Sequence, residues 1–154
     1  MHRLLATNAI ALSVCLLSAA AGADETGTWQ YQCLGDESAE AKICTTEFAT
    51  FEDGQEFVLY FVRNEKGPSP LVVSGEDEAI SGATVTVDKN DPIAAESCDD
   101  GACYFSTENS GILLKQFRKG HTAHVTIRGE AQRVVFDRSL TLRGFSAAYA
   151  QSGP

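Results

Sequence analysis

Short runs of aromatic and β-branched residues recur along the chain, separated by clusters of glycine, aspartate, asparagine and proline. Such runs are typical of β-strands, and over 84–87, 122–128 and 133–136 apolar and polar positions also alternate with a period of two. The pattern predicts at least seven strands, at residues 29–33, 44–51, 56–63, 71–73, 84–87, 122–128 and 133–136.

Two of these regions also indicate how their strands are placed. Residues 56–62 form a nearly continuous apolar run, which predicts a central strand buried on both faces. The last two predicted strands are separated by Gly129, Glu130, Ala131 and Gln132, a sequence that predicts a hairpin turn between them.

Two segments follow a helical pattern instead. Leu113, Leu114 and Phe117 share one face of a segment that Asn109 or Ser110 can cap, and the helix is predicted to end at Gly120. A second, shorter helix is predicted close to the C-terminus, at residues 146–150.

The spacing of these elements favours one architecture. Short strands follow one another at intervals of roughly 8 to 12 residues with turn residues between them, whereas a βαβ layout would alternate strands with helices. We therefore predict a mainly β protein, an antiparallel β-sandwich with one or two short helices. No repeat and no long linker interrupts residues 24–154, which are predicted to form a single domain.

The first 23 residues have the layout of a secretory signal peptide: a basic start, an apolar segment, and small residues with two A-x-A patterns. The apolar segment is shorter than the ~20 residues of a membrane-spanning helix. A lipoprotein anchor at Cys15 is disfavoured because the bulky Val14 precedes it. We predict cleavage before Asp24, a periplasmic or secreted protein, and no transmembrane segment after cleavage.

The net charge disfavours one class of partner. The chain has 12 lysines and arginines against 21 aspartates and glutamates, a formal net charge of −9. Cleavage before Asp24 would remove Arg3 and leave 11 against 21, or −10. An acidic chain without clustered basic residues repels polyphosphates, so we expect no nucleic-acid partner.

Cleavage would also change the meaning of the cysteine count. It would remove Cys15 and leave Cys33, Cys44, Cys98 and Cys103, an even number in an exported domain, which predicts two disulfides. Of the three possible connectivities, proximity in sequence favours Cys33 with Cys44 and Cys98 with Cys103. Zinc ligation is disfavoured because the gaps of ten and four residues do not match paired thiolate ligands and the compartment is oxidising.

No catalytic constellation stands out. His121 and His124 are three residues apart, which on a strand places them on opposite faces, and no G-x-S-x-G motif occurs. Asp88, Asn90 and Asp91 form an oxygen-rich turn, but the glycine and bidentate glutamate of an EF-hand are missing. We therefore predict no catalytic residue, no metal and no cofactor, in a protein that is not an enzyme.

The loop between Cys98 and Cys103 is the candidate recognition site. Asp99, Asp100 and Tyr104 lie in or beside it, and a tight disulfide-closed turn would present them to solvent. The alternative is that aspartate and glycine serve only to form the turn.

A series of features in a fixed order carries a resemblance to a known family. They are Trp29, Cys33, Cys44, Val87-Asp88, the Cys98/Cys103 pair, Leu113-Leu114-Lys115 followed by Gly120, and the closing block from Ser139 to Ala148. In this order they resemble the invasion-associated locus B family of exported bacterial proteins, over nearly all of the mature chain. The resemblance implies an immunoglobulin-like form of the β-sandwich, a periplasmic or envelope location and, in some pathogens, a part in entry into host cells.

The leading hypothesis is a non-enzymatic exported interaction protein of this type. It would contact an unknown protein partner in the envelope or the host through sandwich loops and an unpaired edge strand. An acidic surface would favour basic patches on that partner. The alternatives are a periplasmic ligand- or metal-binding accessory protein with no host role, and a metal-dependent enzyme that uses His121 and His124.

Overall fold

The structure, a computed structural model, describes residues 28–34, 43–63, 69–75 and 79–152. The predicted signal peptide, residues 1–23, lies outside the described residues. The described elements are β1 (Gln30–Leu34), β2 (Ile43–Glu52), β3 (Gln55–Arg63), β4 (Leu71–Gly75), β5 (Ile80–Val87), β6 (Ile93–Ala94), β7 (Ser97–Asp99), β8 (Ala102–Tyr104), α1 (Thr107–Lys119), β9 (Thr122–Gly129), β10 (Val134–Thr141) and α2 (Phe145–Gln151).

The strands form two antiparallel sheets. One has six strands in the order β1-β2-β3-β4-β8-β7, and the other has four in the order β10-β9-β5-β6. The predicted antiparallel sandwich with one or two short helices is confirmed. The first four strands form a meander within one sheet, so this order does not confirm the immunoglobulin-like form that the resemblance implies.

Side chains from both sheets meet in one closely packed core. The rings of Phe57 from β3 and Phe136 from β10 lie 5.0 Å apart between centroids, and the gap between the sheets there measures only about 10 Å³. At one end of the core Trp29 contacts Phe48, Phe117 and Phe145 at centroid distances of 5.2, 5.7 and 4.8 Å. The ring of Trp29, just before β1, therefore packs against aromatic rings of β2, α1 and α2.

One prediction about burial is wrong. β3 is a central strand of its sheet, but only one of its faces is fully buried, by Phe57, Leu59 and Phe61. Val58, Tyr60 and Val62, which point to the other side, are half-buried because no second layer of described residues covers that face.

Helix α1 begins earlier than predicted. Its N-cap is Ser106, whose hydroxyl accepts the backbone N–H of Asn109 at 3.2 Å, and neither Asn109 nor Ser110 has this role. The Ser110 hydroxyl is buried; it accepts the backbone N–H of Leu71 and donates to the carbonyl of Phe105. It links α1 to β4, and this tertiary contact excludes it from capping. The predicted end at Gly120 is confirmed.

Helix α2 and the hairpin before it agree with the predictions. Phe145 is fully buried at the start of α2, and Gly144 before it adopts a left-handed conformation with φ of 90°. A short turn at Glu130–Gln132, with φ of 54° at Ala131 and 62° at Gln132, joins β9 to β10 where the hairpin turn is predicted. No helix in the described part of the chain is long and apolar enough to cross a membrane.

Both disulfides join directly opposed residues of antiparallel strands. Cys33 of β1 is bonded to Cys44 of β2, and Cys98 of β7 to Cys103 of β8, which is the pairing that sequence proximity favours. Each bridge therefore fixes the register of a hairpin at one end of the six-stranded sheet.

Candidate functional site

One face of the six-stranded sheet packs on the core, and the other, called the open face below, is turned to solvent. Strand register assigns its residues, of which Val72 and Ala102 are buried. They are Gln30, Gln32, Leu34, Ile43, Thr45, Glu47, Ala49, Phe51, Glu56, Val58, Tyr60, Val62, Val72, Ser74, Ser97, Asp99, Ala102 and Tyr104.

The open face exposes large apolar and aromatic side chains. Leu34 is 65% exposed, Ile43 49%, Phe51 67% and Tyr104 44%. Val58 and further half-buried residues of β3 lie between them. An apolar surface that links such side chains across several strands is typical of a binding surface, whereas single exposed apolar residues are common on any protein.

The described residues of the open face carry charges of one sign. Glu47, Glu56 and Asp99 are its charged residues, and the register places no lysine or arginine of the described strands on it. Glu47 is held in place because its Oε2 accepts hydrogen bonds from Gln32 Nε2 at 2.8 Å and Thr45 Oγ1 at 3.3 Å. The face is therefore apolar with fixed negative charge.

One row of residues runs across the middle of the open face. Glu47, Tyr60, Val72 and Tyr104 are direct cross-strand neighbours on β2, β3, β4 and β8. Burial, with smaller electrostatic contributions from Tyr104 and Glu47, raises the pKa of the Tyr60 hydroxyl above its ordinary value. Tyr60 is therefore neutral at physiological pH and can donate a hydrogen bond to an acceptor on a partner.

The predicted recognition loop lies at the β7 edge of this face. Asp100 and Gly101, with φ of 47° and 75°, form the two-residue turn between β7 and β8, a conformation in which Asp-Gly is favoured. Asp99 and Tyr104 belong to the open face, whereas Asp100 is at the tip of the turn. The structure thus gives Asp100 a turn role and brings Asp99 and Tyr104 to one surface.

The outer face of the four-stranded sheet carries a hydrogen-bonded row that the sequence pattern does not predict. His124 lies opposite Ser139, with its Nδ1 3.2 Å from the Ser139 hydroxyl, and its Nε2 lies 2.8 Å from Asp137 Oδ1. The Thr126 hydroxyl donates to Asp137 at 2.8 Å and, together with His124 and Arg128, holds the pKa of Asp137 below its ordinary value. The β9–β10 register, which no spacing rule provides, creates this row.

This Ser139–His124–Asp137 row fits a role in joining strands. His124 and Asp137 are half-exposed, with side-chain exposures of 46% and 54%, so water screens the charges. Serine nucleophiles act beside donors that stabilise an oxyanion away from water. Cross-strand hydrogen bonds of this kind stabilise a sheet, and here they connect β9 to β10.

The second histidine, His121, lies beside a different carboxylate, that of Asp88. Asp88, in a left-handed conformation after β5, accepts the backbone N–H groups of His121 and Thr122 through its carboxylate. The hydrogen bond from Thr122, with further contributions from His121, lowers the pKa of Asp88. His121 and His124 thus pair with different carboxylates.

In the oxygen-rich turn after β5, side chains form hydrogen bonds with backbone groups. The side-chain amide of Asn90 donates to the carbonyl of Val87 at 2.8 Å, and the Asp88 carboxylate is already engaged. Among the described residues no group of three or more histidine, cysteine, aspartate or glutamate side chains is placed to hold a metal ion.

Comparison with known proteins identifies the family. The family model described as "Invasion associated locus B (IalB) protein" matches residues 29–153, from the core tryptophan to beyond α2. The chain belongs to the invasion-associated locus B family. No curated protein and no solved structure matches it.

The residues that carry the resemblance to the IalB family have structural roles in this fold. Trp29 is in the aromatic core, its Nε1 donating to the carbonyl of Thr141 at 2.7 Å, and Phe145 of the closing block is fully buried beside it. Two disulfides and IalB membership together point to an exported protein. The residues that carry the resemblance thus serve mainly the fold, and none of them belongs to the open face.

Proposed function

We propose that this IalB-family chain is an exported, non-enzymatic interaction protein that binds a protein partner in the envelope or the host through the open face. The observation that carries the proposal is that this face combines exposed apolar and aromatic side chains with charges of a single sign. Apolar area supplies binding free energy, and the fixed charges select the partner.

The partner's surface should be apolar and basic. Glu47, Glu56 and Asp99 repel acidic surfaces and attract lysine and arginine, and the net charge of −9 strengthens this attraction at long range. Tyrosines such as Tyr60 and Tyr104 suit such a surface, because their rings stack on guanidinium groups and their hydroxyls form hydrogen bonds. Asp99 and Tyr104 are then the part of the predicted recognition loop that takes part in binding.

The proposal includes the route by which the protein reaches its partner. Residues 1–23 would be removed as a signal peptide, and residues 24–154 would form one mature domain in the periplasm or outside the cell. The two disulfides support this route, because such bridges form and persist in oxidising compartments. A contribution to host-cell entry is the more specific form of the proposal, and it rests on the family resemblance alone.

Site-specific photo-crosslinking in the cells that produce the protein tests the proposal. A benzophenone amino acid would replace Phe51 or Tyr104 on the open face, and in a matched control Ile112, a 39% exposed residue of α1. We expect discrete crosslinked protein adducts from both open-face positions and none from position 112. Equal adducts from all three positions, or adducts from position 112 alone, would contradict binding through the open face.

A further inference from the structure

Among the described strands, the two sheets have four edge strands, and three of them are protected against pairing. β10 carries Asp137 and Arg138 and has a bulge near Val134, features that discourage another strand from adding to it. β6 has only two residues and β7 only three. Between them the chain crosses from one sheet to the other: the N–H of Ala95 bonds to β5 and that of Glu96 to β8.

Edge strand β1 has none of these protections. It has five residues, all exposed, without charge, proline or bulge, and the disulfide from Cys33 to Cys44 holds it on β2. No strand in the described part of the chain pairs with its other edge. A regular, uncharged edge of this length is a template for another strand.

The disulfide also shows which backbone groups this edge offers. Cys33 and Cys44 are directly opposed with Cα atoms 4.0 Å apart, the close spacing of a non-hydrogen-bonded pair in an antiparallel ladder. Tyr31 and Cys33, two residues apart, therefore direct their N–H and C=O groups away from β2. The edge offers two donors and two acceptors, symmetrically placed about Gln32.

We propose that β1 pairs with β1 of a second copy of this chain, antiparallel, around a two-fold axis at Gln32. Tyr31 of each copy then lies opposite Cys33 of the other, and these residues exchange both backbone hydrogen bonds. The two six-stranded sheets become one continuous sheet. The proposal is independent of the proposed function, since the edges pair and the open faces, apart from Leu34 at this edge, remain exposed.

A second copy fits this edge for two further reasons. β1 carries no charge, so two chains of net charge −9 meet where no like charges oppose each other directly. Leu34, 65% exposed in the single chain, would lie opposite Gln30 of the second copy and lose solvent contact. Beside the edge, a groove of about 360 Å³ between β1 and the small residues Gly144 and Ala147 leaves room for incoming side chains.

Cysteine crosslinking of the exported, disulfide-bonded protein tests the register. In a Gln32→Cys variant the two new cysteines would be directly opposed at the two-fold axis, as Cys33 and Cys44 are within each chain. In the Gln30→Cys control they would be four residues apart in register, roughly 13 Å, too far for a bond. We expect covalent dimers on mild oxidation from Gln32→Cys only, with peptide mapping to verify that the native bridges are intact.

A second measurement keeps the test decisive if the added cysteine disturbs the native bridges. Light scattering should give the wild-type protein twice the monomer mass. Tyr31→Pro, which removes an outward N–H without removing a β1–β2 bond, should give the monomer mass with an unchanged circular dichroism spectrum. A wild-type protein that is monomeric at its highest soluble concentration, or equal crosslinking of both cysteine variants, would overturn the proposal.

Discussion

At the scale of single residues, Asp88 shows how an exposed carboxylate organises the fold. It joins the end of β5 to the start of β9 by accepting the N–H groups of His121 and Thr122, and these bonds favour its ionised form. Because its pKa is lowered in the folded state, its contribution to stability is present above the ordinary aspartate value of about 3.9 and is lost as the pH falls through the lowered pKa.

The variant Asp88→Asn tests the role of the carboxylate, because asparagine also tolerates the left-handed conformation but cannot ionise. The wild-type protein should be more stable than the variant at about pH 6, and this advantage should disappear towards pH 2 or so. Urea unfolding of both proteins across this range, followed by the fluorescence of Trp29, measures the difference. An advantage that does not change with pH would refute the role assigned to the carboxylate.

Replacing Gly120 or Gly111 by alanine should have opposite effects on the free energy of unfolding. A Cβ atom at Gly120 would lie 2.6 Å from Val87 Cγ1 and 2.9 Å from the carbonyl oxygen of Gln116, whereas one at Gly111, within α1, would meet nothing within 4 Å. Gly120→Ala should lower the free energy of unfolding by about 1–3 kcal/mol through overpacking. Gly111→Ala should raise it by about 0.5–1 kcal/mol, since alanine favours a helix. Chemical denaturation of the two variants checks both, and effects of the same sign would contradict the packing described.

At the scale of elements, the two disulfide-linked hairpins define the ends of the six-stranded sheet. The bridge from Cys33 to Cys44 closes a longer loop, with a sequence separation of 11, than the bridge from Cys98 to Cys103, with a separation of 5. Replacing Cys33 and Cys44 by alanine should lower the free energy of unfolding by about 3 kcal/mol on loop entropy, and the other pair by about 2 kcal/mol. Urea unfolding of the two variants measures these changes in the free energy of unfolding. If neither variant differs from the wild type, strand pairing alone fixes the hairpins.

The longer elements follow from sequence patterns, whereas the shortest do not. All seven predicted strands and both helices are present, because residue type and spacing persist over four or more residues in most of them. β6, β7 and β8 have two or three residues, too few to show a period. The Asp100-Gly101 turn and a disulfide hold β7 and β8 together, and β6 forms by pairing with β5. The start of α1 lies earlier than the sequence predicts, because the tertiary hydrogen bond that the Leu71 N–H donates to the Ser110 hydroxyl cannot be read from local sequence.

The candidate site was only partly predictable for a related reason. Asp99 and Tyr104 stand out in sequence because cysteines flank them, but Glu47 and Phe51 have no local signal. They join the open face only through the register of four strand pairs, which a single sequence does not reveal. The continuous apolar run at 56–62 is the one indication in the sequence that β3 has a second apolar face. That face is open because no layer of described residues covers it.

At the scale of the whole molecule, the surfaces divide into separate roles. The four-stranded sheet presents hydroxyl, histidine and carboxylate groups in hydrogen-bonded rows, and the six-stranded sheet presents apolar and acidic groups. Pairing through β1 would place two open faces side by side on one continuous sheet. A partner with repeated basic sites would then be bound at two points, which increases avidity without new contacts.

The most direct test of the central claim, that the open face binds the partner, compares two serine variants. Phe51→Ser removes the most exposed aromatic ring of the open face, and Ile112→Ser removes an exposed apolar side chain from α1. Retention of each purified protein on immobilised envelope extract from the producing cells gives an apparent affinity. We predict a loss of about tenfold or more for Phe51→Ser, as expected for an interface hot spot, and wild-type retention for Ile112→Ser. Equal retention of both variants and the wild type would contradict the account.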